Sequence, residues 1–291
     1  MVNYKKIERI DITSAEYPDK LRDIPNPPEQ LYCSGNLDLL HKRSVGVVGS
    51  RKFTMYGKQV AIMIGRRLAQ ANIPVVSGLA YGIDGYAHQG VLEGGGEAIC
   101  VLGSGIKMMS PAKNRQLLFD LLDTGGLVLS EYEPEMPAEP WTFPARNRII
   151  SGLSKAVVVV EANYNSGALI TAQHASEQGR AVYAVPGNIN SQFSLGSNLL
   201  IRDGAMPLIV VDDIIRDIGA DVPLGDEIIA SLGADEMAVV NELRKYNGAT
   251  PDRIAAVLGM MVGQVNSIVT VLEIKGVVET YCGKIHLAKT I

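Results

Sequence analysis

Short apolar runs recur along this chain and alternate with segments whose apolar positions return every third or fourth residue. The runs predict strands over 45–49, 74–77, 98–102, 127–130, 156–160, 181–185 and 208–211. The periodic segments predict helices over 56–71, 81–93, 114–123, 167–178 and 195–202. Runs such as AVVVVE are apolar at every position rather than every second one, as in strands covered on both faces. The pattern therefore predicts an α/β fold: an extended Rossmann-like, doubly wound parallel sheet over residues 45–220.

Both ends break the pattern. Residues 1–44 are polar and turn-rich, with prolines at 25, 27 and 28, and predict a lead-in without regular structure that packs on the sheet edge. Residues 221–291, after an acidic linker, predict a small C-terminal winged-helix-like domain. Thr250-Pro251-Asp252 has the form of an N-cap with proline at the first helical position, opening a helix to 258. Gly259 makes a turn, 261–274 is a second helix, and 276–281 with 284–287 form a hairpin around Cys282-Gly283. The second helix occupies the recognition position but carries no arginine, and its single lysine, Lys275, lies at its end. Residues 226–291 hold six bases against eight acids, which favours a protein contact or regulatory role over DNA binding.

A chain of 291 residues, 47% of them hydrophobic, can bury one large core and one small one. The cysteines Cys33, Cys100 and Cys282 are too far apart for a disulfide scaffold or a paired-cysteine metal site. His41, His88, His174 and His286 have no metal-ligand spacing. With no N-terminal signal pattern and no bilayer-length apolar run, a cytoplasmic location without membrane contact is expected. Net charge is −4 but unevenly spread. Residues 39–83 contain no acid and seven bases: Lys42, Arg43, Arg51, Lys52, Lys58, Arg66 and Arg67. Residues 212–242 contain nine acids and one base, Arg216. A polyanion meets the local basic face, whatever the sum, although a solvated helix face is the alternative reading.

Glycines, Asn/Ser side chains and arginines cluster at several strand-to-helix crossings, as they do where backbone approaches a phosphate. In VGVVGSRKFTMYG, Gly49 ends a strand, Ser50 and Thr54 sit near a possible phosphate, and Arg51 projects at the strand's carboxyl end beside Lys52. Neither G-x-G-x-x-G with its ribose-binding acid nor GxxxxGK[ST] is present, so NAD and ATP are not signalled and no cofactor is expected. In TFPARNRIISGLS, Arg146, Asn147 and Arg148 are expected at a helix start, where N–H groups and the macrodipole add to the arginine charge. Asn165-Ser166-Gly167 opens the next helix in the same way, and Phe143 or Tyr164 could stack a base. The alternative is that these arginines pair with Glu161 or Glu177. Asp84 and His88, four apart, are either a general base with its partner or a packing detail. No G-x-S-x-G or Cys–His signature supports nucleophilic hydrolysis.

Taken together, VGVVGSR, SGLAYGID, FPARNRIISGLS, VVEA, SGALITA, VYAVPG and SLGSNLLIRDGA resemble the DNA-processing protein A family (DprA, also called Smf), from the region of Tyr17 to that of Val211. The resemblance implies an extended Rossmann fold that forms a homodimer, binds single-stranded DNA and hands it to the RecA recombinase in natural transformation, without catalytic turnover. Its implied DNA contacts map onto Arg51, Arg146, Asn147 and Arg148, with Ser166 and Gly167 in the same pocket. GSGIKMMSP departs from the family pattern, having Ser110 before Pro111 in place of tyrosine. The helical amino-terminal domain of many members is absent or reduced to residues 1–44. Two other readings remain open: a nucleotide-processing enzyme using Ser77, Asp84 and His88, and an adaptor working through the tail and acidic linker.

Overall fold

The valine-rich runs form a sheet whose central strands are buried at every position, and this sheet organises the larger of two units, Met1–Ile218 and Gly219–Ile291. A computed structural model of the chain describes residues 6–222, 232–245, 248–281 and 283–288. Cys282, and Asp226 and Glu227 of the acidic stretch, lie outside the described residues. The larger unit opens with β1 (Glu8–Asp11), α1 (Asp19–Arg22) and β2 (Gln30–Gly35). There follow β3 (Val45–Val48), α2 (Met55–Gln70), β4 (Val75–Ser77), α3 (Ile83–Glu93), β5 (Ala98–Val101), α4 (Arg115–Asp123) and β6 (Leu127–Ser130). The second half comprises α5 (Thr142–Leu153), β7 (Ala156–Val159), α6 (Gly167–Glu177), β8 (Ala181–Ala184), α7 (Leu195–Arg202), β9 (Met206–Pro207) and α8 (Val211–Asp217).

The nine strands lie in the order β1-β2-β6-β5-β4-β3-β7-β8-β9. From β6 to β9 all neighbours are parallel, while β1 and β2 are antiparallel additions at one edge. The parallel sheet starts at β3, grows outward through β4 and β5 to β6, and returns to set β7 against the other side of β3, with Val45 opposite Ala156 and Val48 opposite Val159. Strand order therefore reverses between β3 and β7. Connections leaving the carboxyl ends of those strands diverge to opposite faces, which opens a crevice.

Helix α2 buries Ala61, Ile64, Gly65, Leu68 and Ala69, the helical spacing of one packed face. Its crossing with α3 brings backbone against backbone. A Cβ on Gly65 would fall on the Ala87 carbonyl oxygen, and one on Gly90 on that of Ile62. At its far end, Arg67 makes a two-pronged ion pair with the buried carboxylate of Asp212 in α8, at 2.6 and 2.9 Å.

Three expectations need correction. The lead-in is irregular only in part: β2 pairs with β6, Tyr17 is buried with its hydroxyl donating to the Pro28 carbonyl at 2.7 Å, and Leu21 joins the main core. The prolines interrupt structure between α1 and β2 but do not prevent either. The strand expected over 208–211 is displaced. The last strand is β9, and Val211 already begins α8, whose first turn holds Asp212 and Asp213 where the helix dipole favours acids. The acidic stretch is not all linker either, because Ala234–Leu243 is a helix with Asp235 and Glu236 in its first turn.

In the smaller unit, helices Pro251–Leu258 and Val262–Ile274 and the hairpin Val278–Tyr281/Lys284–Leu287 pack with Ala234–Leu243 around Val240, Ile254, Val265, Leu272 and Ile285. Thr250 caps the first of these, accepting from Arg253 N, with Pro251 next in the chain. Lys275 is ion-paired with Glu236 at 2.7 Å.

The α2–α3 crossing leaves no room for a methyl group at position 90. Gly90→Ala is expected to lower stability by about 1–3 kcal/mol through forced separation of the helices, read as a lower urea midpoint with unchanged slope.

Candidate functional site

At the crevice between β3 and β7 lies an open cleft of about 660 Å³. Its walls are the turn after β3 (Gly49, Ser50, Arg51, Lys52), the start of α5 (Phe143, Arg146, Asn147) and the turn into α6 (Asn165, Ser166, Gly167). Seven of the eight residues singled out from the sequence line it: Ser50, Arg51, Lys52, Arg146, Asn147, Ser166 and Gly167. Arg148 does not.

The β3–α2 turn is held by Glu161, which follows β7 by two residues. Its buried carboxylate accepts from Thr54 N at 2.9 Å and Thr54 Oγ1 at 2.6 Å, while its backbone carbonyl accepts from Ser50 N at 2.7 Å. Thr54 in turn caps α2, accepting from Gly57 N at 3.1 Å. Glu161 is thus occupied by backbone and hydroxyl donors and does not pair with the cleft arginines. Glu177 likewise pairs with His174. Fixed at both ends, the turn exposes Arg51 and Lys52. The Arg51 guanidinium lies 5.1 Å from the centroid of the Phe143 ring, a cation–π contact that leaves its charge facing the cleft.

Arg146 and Arg148 do not stand at a helix start. Helix α5 begins at Thr142, which places both in its second turn, on opposite sides. Arg146 points inward and is only 4% exposed. Its guanidinium donates to the Val101 carbonyl at the end of β5 and to Asn147 Oδ1, and it lies directly over Gly78, where any Cβ would collide with it. Burial lowers its pKa to about 10, so it remains a cation at neutral pH. Asp84, also buried, accepts from Gly49 N and Gly78 N at 3.4 and 3.1 Å. Burial raises the Asp84 pKa, opposed by the nearby Arg146 charge and these backbone donors. Asn147 Nδ2 donates to the Gly167 carbonyl at 3.2 Å, tying α5 to the first residue of α6. Ser166 caps α6, whose first turn contains no acid.

Arg148 faces the other way. It grips Glu131 with two N–H groups at 2.7 and 2.8 Å and donates to the Asn26 carbonyl at 2.8 Å, clasping α5 to the amino-terminal segment. His88 is fully buried, its Nδ1 lies 3.8 Å from the Cys100 sulfur, and it lines no part of the cleft. Burial first, then the Arg146 charge, lowers its pKa to about 3, so it is neutral and is not a general base for a molecule in the cleft. Tyr164 is exposed but is not among the lining residues, whereas Phe143 is. Among the described residues, no group of three or more His, Cys, Asp or Glu side chains is placed to hold a metal ion.

The sheet and cleft define a Rossmann-like protein with a cationic pocket at its topological switch point. The model for DNA recombination-mediator protein A matches residues 8–219, and the chain belongs to that family. It is 41% identical over 213 residues to the DNA processing protein DprA of Bacillus subtilis, covering 73% of this chain and 71% of that protein. It is 41% identical over 209 residues to protein Smf of Escherichia coli, covering 72% of this chain but only 56% of that longer protein. The crystal structure of DNA processing protein A from Streptococcus pneumoniae superposes with a TM-score of 0.68 at 39% identity, over 74% of this chain and 75% of that one. A Helicobacter pylori DNA processing protein A, described for its single-stranded DNA binding mode, superposes with a TM-score of 0.66 at 28% identity, over 74% of this chain and 96% of that one.

The pKa of His88 carries a stability consequence. Its folded value of about 3 lies below its ordinary 6.5, so the unfolded chain takes up the proton first as pH falls. The contribution is complete above about pH 6.5 and is lost progressively below it. Between about pH 6.5 and pH 5 the wild type should lose about 2 kcal/mol from this group, in urea unfolding followed at both pH values. A His88→Leu variant should lose correspondingly less.

Proposed function

We propose that this chain is a single-stranded DNA-binding recombination mediator without catalytic turnover, and that the cleft is its strand-binding site. One observation carries the reading: Arg51, Lys52 and Arg146 converge with the acid-free start of α6 on one open cleft, and among the described residues the only carboxylate lining it is the buried Asp84. Such a surface suits the phosphates of a flexible strand, with Phe143 available to a base. Membership in a family of recombination mediators supports it, as does the Helicobacter relative described for single-stranded DNA binding.

Three further parts of the reading rest on the family resemblance: RecA as the recombinase served, a homodimer as the working form, and natural transformation in the cytoplasm as the setting. A dimer would double the strand-binding track and raise avidity. The nucleotide-processing alternative has less support, because its proposed base partner His88 is neutral and away from the cleft.

Fluorescence anisotropy with labelled oligothymidine at several salt concentrations tests the assignment. Arg51→Ala should weaken binding about tenfold and reduce the slope of log affinity against log salt by about 0.7. Its melting temperature should not change, since the side chain is exposed. Arg148→Ala should do the reverse, keeping affinity and losing about 1–3 kcal/mol of stability with its hydrogen bonds. Full affinity in the Arg51 variant would remove the cleft as the binding site.

A further inference from the structure

The basic surface continues past the cleft into aromatic rings. Phe53, next after Lys52, is partly buried and meets the Tyr86 ring edge-on at 4.9 Å between centroids and the Tyr81 ring at 6.0 Å. Tyr81 is 49% exposed and directly follows Ala80, which lines the cleft. Two amines flank the rings: Lys58 Nζ lies 4.9 Å from the Tyr86 centroid and Lys113 Nζ lies 5.9 Å from that of Tyr81. Elsewhere in this unit Lys42, Arg66, Arg67, Lys107 and Arg148 each hold an acid. Among the described residues, Arg51, Lys52, Lys58 and Lys113 have no carboxylate partner within ion-pair distance.

The exposed ring is also held in place. Asn114 Nδ2 donates to the carbonyls of both Leu79 and Ala80, at 2.9 and 3.0 Å, fixing the loop that carries Tyr81 against the segment that carries Lys113. Leu79 itself sits in the left-handed region at φ 51°, a conformation costly for a branched residue unless its surroundings impose it. A large apolar face held rigid in water, beside cations without acids, is the arrangement on which bases of a single strand stack. Rigidity lowers the ordering cost of binding.

We propose that Tyr81, backed by Phe53 and Tyr86, is a second subsite that stacks a base of the same strand after it leaves the cleft, with Lys113 and Lys58 meeting the phosphates on either side. The inference rests on the strand-binding reading of the cleft and adds a direction to it: from Arg51 past Ala80 to Tyr81 and on to Lys113.

Two probes separate the two ideas: an oligothymidine of about four nucleotides, which the cleft alone can hold, and one of about twelve, which reaches beyond it. Tyr81→Ala should weaken binding of the longer probe about tenfold and leave the shorter one unchanged. Lys113→Ala should reduce the salt slope for the longer probe by about 0.7. In a Trp141→Phe background, Tyr81→Trp should have its fluorescence quenched by the longer probe and not by the shorter, a readout that a purely structural tyrosine would not give. Unchanged affinity of Tyr81→Ala for the longer probe, with no quenching in Tyr81→Trp, overturns the subsite. If Arg51→Ala still loses both probes in that case, the cleft assignment stands. Failure of the wild type to bind either probe would overturn both.

Discussion

A single guanidinium buried beneath the cleft orders the turns around it. A cation removed from water is costly unless neighbouring groups compensate it. Arg146 obtains that compensation from several segments at once: the Val101 carbonyl at the end of β5, Asn147 on its own helix, and the field of Asp84 at the start of α3. Asp84 also accepts the N–H groups of Gly49 and Gly78, so the turns after β3 and β4 are set by the same charge balance. The carboxyl ends of three adjacent strands therefore form one rigid floor, and its shape requires glycine at position 78.

The basic side chains consequently divide by freedom of movement. Arg146 is immobile and supplies a fixed positive field from below. Arg51 and Lys52 stand exposed on a turn whose backbone is pinned by Glu161, so their heads can adjust while their origins cannot. Arg148 belongs to neither group, since its charge is engaged by Glu131 in holding the amino-terminal segment to α5. A site built this way combines a rigid anchor with adaptable contacts, which suits a chain of phosphates without fixed spacing.

Much of this is legible in the sequence because the strongest signals are local. Continuous valine runs mark the buried strands, and glycine with serine, asparagine or arginine after them marks the turns that converge at the switch point. The same motif sets Arg146 and Arg148 side by side in the chain but not in space. Residues two apart on a helix project about 200° apart, so the two cannot both face one cleft. The acidic stretch departs from expectation for a related reason: acids at Asp212, Asp213, Asp235 and Glu236 are helix-start residues as well as linker residues, and composition alone does not separate these roles. The role of residues 1–44 depends on antiparallel pairing with a strand far along the chain, which no local pattern encodes.

The two borders of the large sheet share a further property. β9 is two residues long and ends in proline, which has no N–H to offer a neighbour, and β1 is short and mostly charged along its exposed positions, with Glu8, Arg9 and Asp11. Neither border is a template on which another chain could extend the hydrogen-bonded ladder. The protein is thereby guarded against open-ended, fibre-like stacking even at high local concentration. Any assembly of copies has to form through helices and loops, whose shapes can close on themselves and stop.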